Sequence, residues 1–190
     1  MFRKMSIVSV TFVVLFLFAC KSVQKSVDED KIYFGNVDVN PLFNGKPAEV
    51  GFCEYVWHNI CYPAKAFENC IVGRVFIEFI VEKDGSVNNV KVTGGADPIL
   101  EAEALRVVKL SPSWTPNRYT VNSSSNWTPG KIDGKAVRMS YTIPISFRLG
   151  CENVKSSSKK AKLSKKTILL KEVDILAFGN QNMESVVPRD

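Results

Sequence analysis

Residues 71–93 read IVGRVFIEFIVEKDGSVNNVKVT, two runs rich in β-branched residues on either side of an Asp-Gly pair. The first run places an apolar side chain at every second position from Val75 onward, which is the period of a β-strand. Asp84-Gly85 is the dipeptide that a tight hairpin turn with positive φ requires. The stretch therefore predicts an antiparallel hairpin with strands at 71–81 and 87–93.

A helix is predicted on each side of this hairpin. Upstream, Phe52 and Val56 recur at helical spacing within residues 48–60. Tyr62-Pro63 ends that helix, because proline disfavours a helical backbone in the residue before it. Downstream, Asp97-Pro98 supplies an N-cap and a proline at the first helical position. Both helices have one apolar stripe, so both are expected to pack on the same core.

A third strand is predicted at residues 136–149, where polar and apolar residues alternate without a break. One face is expected to be core, and the other, which carries Arg138, Ser140 and Thr142, is expected to face solvent. Pro144 cannot donate to a β-ladder, and prolines within sheets are confined to edge strands or bulges. The strand is therefore predicted to have a free edge, on which an extended peptide can add as a further strand.

These segments together resemble the C-terminal domain of TonB-type energy transducers. The resemblance covers residues 41–147, and its segments are, in order, Asn59-Ile60-Cys61-Tyr62-Pro63, Gly73-Arg74-Val75, Asp84-Gly85, Trp114-Thr115-Pro116 and Pro144-Ile145-Ser146-Phe147. It implies an α+β fold, in which a three-stranded antiparallel sheet carries two helices on one face. It also implies a non-enzymatic protein-binding module without catalytic residues or cofactor. The implied partner-binding residues are Asn59, Cys61, Tyr62, Pro63, Arg138, Ser140 and Thr142, with the edge of 136–146.

The N-terminus has the layout of a secretory signal. Arg3 and Lys4 precede an uncharged, mostly apolar run over residues 5–19, and Cys20 follows. This run is shorter than the ~20 residues that a transmembrane helix needs. A small residue directly before Cys20 resembles the cleavage motif of bacterial lipoproteins. Residues 1–19 are therefore predicted to be a signal peptide, and Cys20 to be the lipidated N-terminus of an envelope protein that faces the periplasm, in the outer membrane.

The remaining chain divides into a polar tether at 20–40, a domain at 41–150 and a basic tail at 151–190. The tail holds many of the lysines behind the formal charge of +6. No aromatic residues are interleaved with those lysines, so nucleic-acid binding is disfavoured. Leu169, Val173 and Leu176 are at helical spacing and favour a helix at 167–178, although residues 167–170 could equally pair as a strand.

Five cysteines and one histidine raise the question of a disulfide or a metal site. If the first and last strands pair antiparallel, as the resemblance implies, Cys70 and Cys151 come level, and a disulfide between them is predicted. Cys53, His58, Cys61 and Cys70 form a row, but zinc ligands are normally paired on a turn and not strung along a helix. A Cys61–His58 nucleophile pair lacks oxyanion donors and a third orienting residue. No metal or catalytic residue is predicted.

The leading hypothesis is a lipid-anchored module that recognises an envelope or outer-membrane protein, such as a TonB-dependent receptor, by β-strand addition. One alternative is a true energy transducer in which residues 5–19 stay in the inner membrane. The other is a structural lipoprotein that has lost peptide binding. Residues 117–129 are interpreted as a loop insertion, in which Trp127-Thr128-Pro129 repeats Trp114-Thr115-Pro116. The oligomeric state is left open between a monomer and a homodimer.

Overall fold

The computed structural model describes residues 30–113, 126–150, 155–156, 162 and 166–177. The fold is α+β, as predicted. Within these ranges no helix is long and apolar enough to cross a bilayer. The elements in chain order are β1 (Ile32–Tyr33), β2 (Leu42–Phe43), β3 (Lys46–Pro47), α1 (Ala48–Asn59), α2 (Ala64–Glu68), β4 (Ile71–Val81), β5 (Val87–Gly94), α3 (Pro98–Leu110), a 3-10 turn (Ser111–Ser113), β6 (Trp127–Thr128), β7 (Gly130–Ile132), β8 (Lys135–Leu149), β9 (Lys155–Ser156), β10 (Ile168–Leu169) and β11 (Val173–Ala177).

The main sheet is built around β4 and β8, which pair antiparallel from Gly73 opposite Phe147 to Val81 opposite Met139. β5 pairs antiparallel with the other side of β4, so the predicted three-stranded antiparallel unit is present in the order β8-β4-β5. The sheet is nevertheless larger than predicted. β1, β10 and β11 all pair with β8, and all three run parallel to it. β2, β3 and β6 form a separate three-stranded sheet.

Local signals in the sequence form the turns and caps that they predict. Gly85 has a φ of +83° in the hairpin between β4 and β5, a conformation that glycine adopts without steric cost. The Asp97 carboxylate accepts a hydrogen bond from the Ile99 N–H at 2.9 Å, which satisfies one of the unpaired donors at the start of α3. Pro98 follows at the first helical position. α1 ends at Asn59, one residue before the predicted limit.

The core lies between α1, α3 and one face of the main sheet. At its centre is Phe52 of α1, whose ring centroid lies 5.1 Å from that of Phe79 in β4 and 4.9 Å from that of Trp127 in β6. The Trp127 indole N–H donates to the Ser111 hydroxyl at 3.2 Å, so its polar atom is satisfied inside the core. The second Trp-x-Pro copy thus packs in the core, whereas Trp114 lies outside the described residues.

The helix predicted at 167–178 is wrong, because this segment forms the two strands β10 and β11. Val173, Ile175 and Ala177 alternate onto the core side of the sheet and are buried. Pairing with β8 satisfies the backbone hydrogen-bonding groups of the segment. In a strand every second side chain faces the core, so the residues at a spacing of two are buried and those at helical spacing are not on one face. The segment lies beyond the predicted 41–150 domain, yet its side chains form part of that domain's core.

Candidate partner-binding edge

The edge of β8 that faces away from β4 is paired with three other segments of the chain. β1 lies beside residues 138–139, β10 beside 141–142 and β11 beside 145–149. The Leu170 N–H donates to the Thr142 carbonyl at 2.8 Å. Backbone groups alternate in direction along a strand, so the even-numbered residues of β8 direct theirs to this edge. We call this the outer edge of β8.

Pro144 is an even-numbered residue of β8, so the donor that it lacks belongs to the outer edge. The proline thus marks the edge that is predicted from the sequence to be free. That edge is not free, since β10 and β11 flank the Pro144 position on either side. Residues 170–172, between these two strands, are not in a strand.

Polar side chains beside the outer edge are bonded to the C-terminal segment. The Thr167 hydroxyl lies 3.1 Å from the Oγ of Ser140 and 3.1 Å from the Oγ1 of Thr142. Ser140 and Thr142 are 4% and 0% exposed. The prediction that these two side chains face solvent is therefore wrong. A third hydroxyl, from beyond the predicted domain, is close enough to hydrogen-bond with both, so their buried polar atoms are satisfied.

Two ion pairs join the C-terminal segment to arginines next to the outer edge. The Glu172 carboxylate accepts a hydrogen bond from the Ser146 hydroxyl and lies 2.7 Å from Nη2 of Arg74. Asp174 lies 3.1 Å from Nη2 of Arg148. These four charged residues were not predicted as site residues. The sequence could have indicated the two acidic residues, because Glu172 and Asp174 alternate with the apolar residues of β11 as on the polar face of a strand.

Arg138 secures the start of the described chain to β8. Its Nε donates to the Glu82 carboxylate at 2.6 Å, and its Nη1 donates to the Asp30 carbonyl at 3.2 Å. The hydrogen bonds that Arg138 donates to the Glu82 carboxylate raise the pKa of its guanidinium above the ordinary value. Arg138 is half-buried, so it is the most accessible of the three residues predicted on this strand.

The segment 59–63 lies at the opposite end of β8 from Arg138. The Tyr62 hydroxyl donates to the Ile71 carbonyl at 2.6 Å, and the Tyr62 ring lies 5.5 Å from that of Phe147. Arg138 is nine positions from Phe147, which is about 30 Å at ~3.3 Å per residue. The predicted site residues therefore form two groups at the two ends of one strand.

Asn59 and Cys61 are bound to the helices and not to β8. The Asn59 side chain donates to the Tyr55 carbonyl at 2.7 Å, and the Asn59 carbonyl accepts from Arg106 at 2.8 Å. The Cys61 N–H donates to the Glu103 carboxylate at 2.8 Å. The Cys61 side chain is exposed. This junction between α1 and α3 leaves the thiol accessible to a molecule that approaches from outside.

Residues 58–124 match the family model described as the Gram-negative bacterial TonB protein C-terminal. This segment of the chain is therefore similar to the C-terminal domain of TonB proteins. No curated protein and no solved structure matches the chain. The matched range includes Tyr62-Pro63, the β4–β5 hairpin and α3, so the family resemblance is confirmed on those segments.

TonB C-terminal domains are non-enzymatic transducer and interaction domains of the bacterial envelope, and their partners include outer-membrane receptors. The matched range ends before β8 begins at Lys135. The pairing of the outer edge with β1, β10 and β11 is therefore an observation on this chain and does not come from the family match.

The cysteines of the described residues differ in environment. Cys53, Cys61 and Cys70 are free thiols among the described residues, and no cluster of three or more potential metal ligands occurs there. The Cys53 thiol donates to the Lys171 carbonyl at 3.6 Å, and burial raises its pKa to about 11. Cys70 precedes β4, and the β4–β8 register places position 70 level with position 150. Cys151 lies outside the described residues, so the Cys70–Cys151 disulfide stays a prediction.

Thiol labelling of the folded protein should separate these cysteines. Iodoacetamide is expected to alkylate exposed Cys61 within minutes at pH 8, while Cys53 reacts much more slowly because only the thiolate is nucleophilic. If the predicted disulfide forms, Cys70 and Cys151 are labelled only after reduction. Peptide mapping by mass spectrometry measures all four sites. Equal labelling of Cys53 and Cys61 would contradict the burial of Cys53 beneath Lys171.

Proposed function

We propose that this chain is a lipid-anchored, non-enzymatic protein-binding module of the cell envelope, which recognises an extended segment of an envelope or outer-membrane protein. The observation that carries the proposal is the outer edge of β8. Three separate segments pair with it in parallel, so its backbone geometry accepts added strands. Backbone pairing of this kind gives affinity to β-augmented complexes, while side-chain pockets give them specificity.

The TonB C-terminal domain gives independent support, because domains of this family interact with envelope proteins. It supports equally a true energy transducer in which residues 5–19 remain in the inner membrane. A structural lipoprotein is favoured by a different observation, since the described chain already pairs with the outer edge. Lipidation of Cys20 would distinguish the two lipoprotein hypotheses from the energy transducer. Binding of a partner would distinguish the protein-binding module from the structural lipoprotein.

Lipidation of Cys20 is the first expected result. Cys20 lies outside the described residues, and its proposed role rests on the small residue before it and on the short apolar run. Radiolabelled palmitate is expected to enter the wild type and not the Cys20→Ala variant. Cys61→Ala is the matched control and should keep the label, because exposed Cys61 has no signal motif before it. An unprocessed N-terminal methionine on the mature protein would favour the transducer.

Partner capture at the outer edge is the second expected result. A photocrosslinking residue in place of Arg138 or Arg148 should give adducts with another envelope protein in living cells. Both positions flank the edge, and the Arg148 side chain is 59% exposed whereas that of Arg138 is 24% exposed. The control position is Lys91, which is 59% exposed but belongs to β5, the strand at the opposite edge of the sheet. Adducts formed only with residues 166–177 of the same chain would favour the structural lipoprotein.

A further inference from the structure

We infer that residues 166–177 occupy the outer edge of β8 as a stand-in for the partner, and that the partner segment which displaces them is extended, aliphatic at alternate positions and acidic beside Arg74 and Arg148. This inference rests on the proposed function, because it assigns the chemistry of the segment that the same edge recognises. It has two parts, the side-chain pattern that the edge selects and the competition between two segments for one edge.

The aliphatic part of the pattern is set by the core. Val173, Ile175 and Ala177 are 2%, 7% and 5% exposed, and Leu170 just before them is 3% exposed. Their side chains fill the core beside β8, and α1 lies against β11. A segment without aliphatic side chains at these positions would leave a cavity, which is costly in a close-packed interior. The replacing segment must therefore carry small or branched aliphatic residues at every second position.

The acidic part of the pattern is set by two arginines from different strands. Arg74 of β4 pairs with Glu172, and Arg148 of β8 pairs with Asp174. The two arginine side chains are 48% and 59% exposed, so an incoming carboxylate can reach both. Exposed ion pairs contribute little net stability, but they discriminate against segments of the wrong charge. A basic segment at these positions would face two like charges.

The ladder formed by residues 166–177 is interrupted, which gives an incoming strand a place to begin. β10 has two residues and β11 has five, and the break between them lies opposite the Pro144 position. Leu169 of β10 is 54% exposed. Short ladders with exposed side chains open at lower free energy than core strands. Exchange is therefore expected to start at β10 and to proceed toward β11.

Competition in cis lowers the apparent affinity for a partner. A segment on the same chain competes at an effective concentration that does not depend on the concentration of the protein. The apparent dissociation constant of the partner rises by the inverse of the fraction of chains whose edge is open. A change that weakens only the cis segment should therefore strengthen binding in trans.

The test uses the full chain and a fluorescent peptide of residues 166–177, KTILLKEVDILA. The Glu172→Lys chain is expected to bind this peptide about fivefold more tightly than the wild type, because the cis segment loses its pair with Arg74. Glu54→Lys is the matched control and should bind as the wild type does. Glu54 is an exposed carboxylate of α1 that pairs with Lys46, so the charge change is the same at a different place. Circular dichroism verifies that each variant is folded.

A charge exchange tests the pattern itself. The Glu172→Lys chain keeps Arg74 and is expected to prefer the original peptide over a peptide that carries lysine at position 172. The Arg74→Glu chain is expected to have the opposite preference. Anisotropy titrations measure both preferences. An unchanged preference would overturn the role given to Arg74, since a merely structural arginine would not select the charge of an added peptide.

The inference and the proposed function fail in different ways. If the folded Glu172→Lys chain binds the peptide no more tightly than the wild type, residues 166–177 are a fixed part of the domain and the inference is overturned. The proposed function would still stand if Arg138 or Arg148 crosslinked to another envelope protein. If the peptides exchange as expected but neither position captures an envelope protein, the edge selects this pattern and the proposed function is overturned.

Discussion

Replacement of Phe52 with alanine is expected to lower the free energy of unfolding by about 3–5 kcal/mol. Phe52 is fully buried, and its ring contacts the aromatic rings of Phe43, Tyr55, Phe79 and Trp127. The loss combines the transfer free energy of the ring with the cavity that remains. Urea denaturation followed by tryptophan fluorescence measures the change, and Trp127 reports on the same cluster.

Phe34→Ala is the matched control for this experiment. Phe34 is 44% exposed, so the same substitution is expected to cost less than about 1 kcal/mol. If Phe52→Ala leaves no folded protein to titrate, Phe52→Leu should give an intermediate loss, because leucine refills part of the volume. Similar losses for Phe34→Ala and Phe52→Ala would contradict the position of the core between α1 and the sheet.

Replacement of Ile175 with aspartate is expected to detach β11 and to destabilise the domain by about 3–5 kcal/mol, since an unpaired carboxylate would enter the core. Ile175 is 7% exposed and lies between Val173 and Ala177 on the core side of β11. Two measurements should change together. The midpoint of urea denaturation should fall, and the Leu170 amide, which bonds to the Thr142 carbonyl, should lose protection from hydrogen exchange.

Leu169→Asp is the control for Ile175→Asp, because it places the same carboxylate on the same segment at a side chain that is 54% exposed. It should change the denaturation midpoint little. A small effect of both substitutions would mean that β11 contributes nothing to the core. A large effect of both would mean that the segment tolerates no charge on either face.

The elements that were predicted correctly are those with local causes. Asp84-Gly85 favours a tight turn by its own backbone preferences. Asp97 caps the start of a helix with its carboxylate, and the Pro98 ring fixes a helical φ at the first position. The alternation within residues 136–149 predicted β8 for the same reason. The short helix α2 was missed, since Ala64–Glu68 is too brief to show a period.

The parts that were missed depend on pairing between distant segments. Leu169, Val173 and Leu176 fit a helix, but the actual alternation of Val173, Ile175 and Ala177 is decided by β8, which precedes them by more than twenty residues. Ser140 and Thr142 are polar, so their side chains were predicted to face solvent. In the structure they are buried, and Thr167 satisfies both hydroxyls, a partner that no periodicity reveals.

β1 has a mechanical consequence for a chain that is pulled from its N-terminal side. Its two residues run parallel to β8, so a backward pull along the strand loads their few hydrogen bonds in shear. The next attachment is at Asp38 and Val39, whose N–H groups donate to the Lys131 carbonyl. Residues 30–38, once released and extended, would span about 30 Å. The chain can therefore lengthen by this amount while the β4–β8 pairing stays intact, with only the partly buried side chains of Tyr33 and Val37 leaving the core.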